Sequence, residues 1–288
     1  MINAQTQLYG IIGNPVRHSL SPILHNEFLR RMGLNAVYLA FEVRNLKEAM
    51  RGIRELGIRG VSVTLPFKRE VLPLLDEVDE MAEKISAVNT IFNENGKLIG
   101  YNTDWLGALE ALEEKVDLKG KKVILLGAGG AARAIGFGLK MRGCQIIVSN
   151  RSIDKGMDLA KELMGIHQPL SSIEGWDSEV IINATSVGMS PYDGETPLPP
   201  KFLKKGMTVM DIVYQPLRTR LLREAEEQGC LTIDGIEMLS RQGAAQLEIW
   251  TGMRPDLLQI RKGLRQALDT RFEKKEESHD RDQAADPL

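Results

Sequence analysis

The feature that most constrains this chain is a short stretch near its middle, Lys121-Lys-Val-Ile-Leu-Leu-Gly127-Ala128-Gly129-Gly130-Ala131-Ala132-Arg133. Val123 to Leu126 is an unbroken apolar run, the pattern of a strand buried on both faces of a parallel sheet. Glycines follow at once, and a helical stretch then runs from Ala131 to Met141. Strand, tight turn and helix in that order open a βαβ unit, which commits the chain to an α/β fold. Gly127 permits the sharp turn, and Gly129 lets a pyrophosphate come close to the backbone. The helix beyond them aims its unpaired N–H groups and positive dipole end at that phosphate. Gly127, Ala128, Gly129, Gly130 and Ala131 are therefore candidate dinucleotide-binding residues, with Ala132 as the third small position of the turn.

A second strand, Gln145 to Ser149, ends about 20 residues on, where such units read the ribose. An NAD site would carry an acid there, but this chain has Asn150-Arg151-Ser152, with Lys155 one turn further. An Arg fork can hold two oxygens of a 2′-phosphate, so the expected cofactor is NADP(H). The competing reading is a solvated loop in which Ser152 only caps a helix. Later strands are expected at Val180–Asn183 and Met207–Ile212. The loop after the first, 184–191, is of the kind that covers a nicotinamide. Thr185, Ile212 and Gly235 complete the expected cofactor set.

Composition excludes several classes. The chain has 288 residues, 37 basic and 39 acidic, for a net charge of −2, so no basic field favours nucleic acid. Its two cysteines read as buried thiols, its four histidines show no metal-ligand spacing, and no metal is expected. No apolar run is long enough to cross a membrane, and the N-terminus lacks a signal-peptide pattern. A cytoplasmic protein is the expectation.

The first third reads as a separate α/β unit. Strands are expected at Leu8–Ile12, Val37–Val43, Gly60–Thr64, Ala87–Phe92 and Lys97–Gly100. Helices are expected after Ser21-Pro22, with Ser21 as the cap, after Asn45, over Met81–Ile85, and from Asp104. Ser19, Ser21, Thr64, Lys68, Asn89, Asn102 and Asp104 then fall at strand ends or helix starts, where ligands of open α/β sheets sit. Gln246 sits one turn from Gln242 on a helix expected over Gly235–Trp250. Together these suit a small polyhydroxylated acid. Lys68 can donate a proton, and Asp104 can hold that lysine. Singly, each has a bland reading, a surface lysine or an Asp cap.

Nine motifs in one order carry a resemblance. They are Gly13-Asn-Pro-Val-Arg-His-Ser-Leu-Ser-Pro22, Val63-Thr-Leu-Pro-Phe-Lys68, Ala87-Val-Asn-Thr90, Tyr101-Asn-Thr-Asp104, Gly127-Ala-Gly-Gly-Ala131, Asn150-Arg-Ser152, Asn183-Ala-Thr-Ser186, Asp211-Ile-Val-Tyr214 and Gln242-Gly-Ala-Ala-Gln246. Through them the chain resembles the shikimate dehydrogenases over nearly its whole length. The resemblance implies NADPH-dependent reduction of 3-dehydroshikimate to shikimate, with Lys68 and Asp104 as the catalytic pair. It also implies substrate contacts at Ser19, Ser21, Thr64, Asn89, Tyr214 and Gln246, and a 2′-phosphate clamp of Asn150, Arg151, Ser152 and Lys155. Ser152 stands where Thr is more usual and Lys155 where Arg is common; the first keeps the hydroxyl, the second keeps only a point charge. The expected division is a substrate domain over 1–103 with a mainly parallel sheet and a Rossmann-like NADP domain over 104–236. C-terminal helices over 237–269 return to the first domain, and a disordered charged tail spans 270–288. A homodimer is the candidate assembly. The alternatives are a quinate/shikimate dehydrogenase of broader specificity and a non-catalytic dinucleotide-binding protein, which would need neither Lys68 nor Asp104.

Overall fold

The computed structural model describes residues 2–17, 19–170, 177–266 and 268; the charged tail expected over 270–288 lies outside them. Two six-stranded sheets follow one another along the chain. The first contains β1 (Gln7–Gly13), β2 (Ala36–Glu42), β3 (Gly60–Val63), β4 (Glu77–Val78), β5 (Thr90–Glu94) and β6 (Lys97–Tyr101), in the order β2-β1-β3-β5-β6-β4. β1 runs parallel to β2 and β3, while β5 is antiparallel to β3 and to its hairpin partner β6. Helices α1 (Ser21–Arg31), α2 (Leu46–Glu55) and α3 (Glu80–Ile85) belong to this half.

Helix α4 (Asp104–Glu113) leads to the second sheet. Here β7 (Lys122–Leu126), β8 (Gln145–Ser149), β9 (Ile166–His167), β10 (Val180–Asn183), β11 (Thr208–Asp211) and β12 (Leu231–Ile233) take the order β12-β11-β10-β7-β8-β9. Every pairing in it is parallel. This is the doubly wound order, and it reverses direction between β7 and β10. Helices α5 (Gly130–Met141), α6 (Ile153–Leu163) and α7 (Arg220–Glu227) are the crossovers. Apart from exposed Lys122 and Gln145 at the starts of β7 and β8, the central strands are buried, as their apolar runs require. The edge strands β4, β9 and β12 have no sequence signal, being only two or three residues long.

Helix α8 (Gly235–Thr251) ties the halves together. It starts beside the second sheet, and Trp250 near its end donates from its indole N–H to the Ile91 carbonyl of β5 at 2.9 Å. Its middle packs tightly on α4, because a side chain at Gly107 would strike the Gln242 backbone nitrogen at 2.8 Å. The final helix α9 (257–266) packs Ile260 and Leu264 into the same core as Leu24 and Phe28 of α1. Arg133 adds a second tie: it donates from α5 to the Ile85 carbonyl at the end of α3, at 2.9 Å. Among the described residues, no helix is long and apolar enough to cross a membrane.

Candidate active site

Helix N-termini divide into two groups. The helices α2, α3, α7 and α8 are capped by their own side chains, Asn45, Asp79, Thr219 and Asp234. Those of α1, α4, α5 and α6 have no side-chain cap. The uncapped group carries Ser19 and Ser21, Asp104, the glycine turn, and Arg151 and Ser152. The orphan N–H groups of each such end stay available unless something else takes them. The expected cap at Ser21 is not formed: Ser21 is itself the first helical residue, and its N–H donates to the Ser19 hydroxyl at 3.1 Å. Pro22, one place further in, is tolerated in the first turn because an N–H there has no helical partner.

Lys68 and Asp104 meet. Lys68 Nζ donates to Asp104 Oδ2 at 2.6 Å, with the two side chains 14% and 6% exposed. The pair is shielded enough for its attraction to exceed that of a surface ion pair. Asp104 Oδ1 accepts from Asn89 Nδ2 at 2.8 Å, and the Asp104 N–H donates to Asn102 Oδ1 at 3.0 Å. Asn89 shares its remaining N–H between Thr103 Oγ1 and Gln242 Oε1, at 3.0 and 3.3 Å. Its own oxygen accepts from Thr90 Oγ1 at 2.7 Å and from the Thr103 N–H at 2.8 Å. The Asn-Thr pair inside β5 thereby finds the partners that buried polar groups demand. Gln246 is 1% exposed and fully bonded. Its Nε2 donates to the Asn89 carbonyl and Thr90 Oγ1, and its Oε1 faces Ser62 Oγ and His25 Nε2. Thr64 and Tyr214 are half-buried at the ends of β3 and β11.

The second half approaches this constellation at Gly130. A side chain on Gly130 would stand 3.2 Å from Lys68 Cδ, whereas one on Gly129 would meet nothing within 4 Å. The lysine stem therefore lies across the first turn of α5. Gly127 has a φ of +112°, and a side chain there would strike the Ala184 carbonyl at 2.9 Å and Thr185 Cγ2 at 3.1 Å. That closeness brings the ends of β7 and β10 together where the strand order reverses, which is where doubly wound sheets bind ligands. Gly235 lies equally close to the Ile212 and Val213 carbonyls.

Beneath this crevice a buried network holds the loops. Asp211 Oδ1 accepts from Asn183 Nδ2 at 2.9 Å and from the Val213 N–H at 3.0 Å, and its Oδ2 accepts from Thr219 Oγ1 at 2.7 Å. Asn183 Oδ1 in turn accepts from Thr185 Oγ1 at 2.7 Å. Burial pushes the Asp211 carboxyl up to about 6, against the pull of those three donors. Asn183 and Asp211 were legible as motif residues but not as partners.

The nucleotide end is open. Arg151, Ser152 and Lys155 are exposed, and among the described residues the Arg151 and Lys155 side chains make no ion pair. Ser152 occupies the cap position of α6 without spending its hydroxyl on a cap bond, while Asn150 Nδ2 donates to the Ser152 carbonyl at 2.8 Å. Free space at Gly129, two uncapped helix ends and unpaired cations fit a phosphorylated dinucleotide. Among the described residues, no cluster of His, Cys, Asp or Glu could hold a metal ion. A groove of about 720 Å³ between α1 and α9 is lined by none of these residues, so the chemistry is not assigned there.

His25, Tyr38, Ser62 and Thr103 were not foreseen. His25 had a signal: positions 21, 24, 25, 28 and 29 form the buried face of α1, and a histidine on such a face needs a partner.

Residues 11–91 match the family model for the shikimate dehydrogenase substrate binding domain. Residues 110–190 match the model for shikimate / quinate 5-dehydrogenase, and 235–265 that for the shikimate 5′-dehydrogenase C-terminal domain. The chain is 46% identical to the shikimate dehydrogenase (NADP(+)) of Pyrococcus furiosus, over 91% of this chain and 96% of that one. A shikimate dehydrogenase solved in complex with NADP+ superposes with a TM-score of 0.89 at 43% identity, covering 93% of this chain and 98% of that chain. The Thermus thermophilus enzyme, solved with NADP(H) and shikimate, gives 0.85 at 38% identity, covering 91% and 100%.

Proposed function

The chain belongs to the shikimate dehydrogenase family, and from that premise we propose that it catalyses the reversible NADPH-dependent reduction of 3-dehydroshikimate to shikimate. The observation that carries this reading is the buried Lys68–Asp104 contact of 2.6 Å, with the lysine stem lying against Gly130 of the dinucleotide turn. NADPH, when bound, supplies the hydride. Lys68 supplies the proton to the carbonyl oxygen and stabilises the negative charge that develops there, an interaction stronger in the transition state than in the ground state. Asp104 aims the ammonium group, and Asn89 fixes Asp104. In the oxidative direction the pair takes up the proton that the substrate hydroxyl releases. Because the two groups share one short contact, acid and orienter are roles of the pair.

Ser19 and Ser21, at the uncapped start of α1, are assigned to the substrate carboxylate. Thr64, Asn89, Tyr214 and Gln246 are assigned to the substrate side, Gln246 acting there through the Asn89 and Thr90 that it bonds. Gly127, Ala128, Gly129, Gly130 and Ala131 are assigned to the pyrophosphate, Asn150, Arg151, Ser152 and Lys155 to the 2′-phosphate, and Thr185, Ile212 and Gly235 to the nicotinamide end. Residues 1–103 then form the substrate domain, 104–236 the cofactor domain, and 237–269 the helices that return. Two free thiols, Cys144 and Cys230, suit a reducing compartment, and the cytoplasm is proposed on that ground.

Steady-state assays with shikimate and NADP+, then with quinate and NAD+, test the assignment. Turnover confined to the first combination is expected. Equal rates with quinate and NAD+ would mark a broader quinate/shikimate dehydrogenase, and no turnover with either would mark a binding protein.

A further inference from the structure

His25 is a wholly buried histidine to which the reaction above gives no task. Its ring stacks on Tyr38 at 4.3 Å between centroids and tilts against Trp250 at 5.3 Å. Nε2 stands 3.2 Å from Gln246 Oε1, while Nδ1 has no hydrogen-bond partner. The tautomer follows from the amide. Gln246 Nε2 lies 3.1 Å from the Asn89 carbonyl oxygen, which can only accept, so the amide oxygen must face His25. His25 therefore carries its proton on Nε2 and donates it. Burial holds the imidazole down to about 3, so the ring stays neutral and Nδ1 is a bare acceptor. A phenylalanine would fill this aromatic nest without stranding an acceptor. Packing alone is thus a poor reason for a histidine here, and its hydrogen bond goes to Gln246.

From Gln246 the bonds run in one direction. Gln246 Nε2 donates to Thr90 Oγ1 at 3.0 Å, and Thr90 Oγ1 donates to Asn89 Oδ1 at 2.7 Å. Asn89 Nδ2 then donates to Asp104 Oδ1 at 2.8 Å, on the carboxylate whose other oxygen holds Lys68. A second branch enters Gln246 Oε1 from Ser62 Oγ at 2.8 Å, itself an acceptor for the Tyr38 hydroxyl at 2.7 Å.

We propose that His25 is a positioning residue for the Lys68–Asp104 pair. Its Nε2–H locks the Gln246 amide, and through Thr90 and Asn89 that lock sets the direction of the Asp104 carboxylate. The inference rests on the reading of Lys68 and Asp104 as the proton-handling pair. The test measures kcat, KM for shikimate and melting temperature on His25→Phe and His25→Gln, with Lys68→Ala in parallel. His25→Phe keeps the stacking and loses the donor; His25→Gln offers an amide N–H near the place of Nε2. Misaiming a catalytic group should lower kcat of His25→Phe at least about tenfold, more than it changes KM, with His25→Gln restoring most of the loss. Wild-type kcat in His25→Phe, or equal losses in both variants, overturns the proposal. If His25→Phe does not fold, His25→Gln against His25→Asn decides it, because the shorter amide cannot reach Gln246. A higher kcat for His25→Gln supports the lock, and equal values overturn it. Wild-type turnover in Lys68→Ala would overturn the underlying pair as well, which separates the two failures.

Discussion

Around Lys68 the polar atoms have partners inside the protein, whereas around Arg151 the cations point outward with none among the described residues. Asp104 is held through both carboxylate oxygens and its own N–H, and Gln246 through both ends of its amide. Such saturation, in surroundings with little water, is what preorganised charge stabilisation needs, because the dipoles do not have to reorganise during the reaction. Arg151 and Lys155 sit in solvent, where attraction to a phosphate is screened and reversible. That suits a cofactor that must arrive and leave at every turnover. The two halves should therefore fail differently: damage near Lys68 should appear in kcat, and damage near Arg151 in KM.

The largest effect is expected at Lys68. Lys68→Ala should lower turnover at least about a hundredfold, the low end for lost acid–base catalysis. Single-turnover kinetics with equilibrium binding should show the shikimate dissociation constant changing far less. Near-normal turnover with collapsed binding would make Lys68 an anchor and erase the contrast. On the open side, Arg151→Ala removes one charge-assisted contact worth roughly 1.5–3 kcal/mol, so KM for NADPH should rise about ten- to a hundredfold. KM for NADH should hardly move, and equal effects on both cofactors would dismiss the 2′-phosphate assignment.

A smaller effect probes the floor of the nucleotide crevice. Asp211 has a folded pKa of about 6, above its usual 3.8. A carboxyl raised in this way contributes stability that is fully present below the unfolded pKa and lost as pH rises through the folded one. Between about pH 5 and pH 8 wild-type stability should fall by roughly 1.4 kcal/mol from this group, one pKa unit's worth. Asp211→Asn, which keeps an oxygen for Asn183 and Val213, should not show that fall in denaturant titrations. Parallel pH profiles for the two proteins would mean the carboxyl is not the cause. The smallest effect sharpens the boundary between the halves. Gly129→Ala intrudes into free space at the turn and should raise KM for NADPH, while Gly130→Ala presses on the Lys68 stem and should lower kcat, each by about threefold to tenfold, because small misplacements cost rate steeply. Identical kinetic signatures would show that the stem contact has no bearing on catalysis.

Much of this was legible in order along the chain because the signals are local. An apolar run followed by Gly127 and Gly129 specifies strand, turn and helix within thirteen residues. The doubly wound half followed from that, as did the polar residues at strand ends. The short edges β4, β9 and β12 were not legible, since two or three residues show no period and pairing alone defines them. Nor was the missing cap at Ser21, where the Ser19 hydroxyl takes the Ser21 N–H instead.

What the sequence determined by itself was therefore the kind of each element and the chemical inventory at its ends, because backbone sterics and hydrophobic period act between near neighbours. What only the tertiary structure decided was which of those groups touch. Gln246 reaches Asn89 across 157 positions and His25 across 221, and Lys68 finds Asp104 only when β3 and α4 converge. No local propensity encodes such contacts. They arise when two sheets bury their apolar faces, and each polar group carried inside must then find a partner or lose the hydrogen bond it had with water.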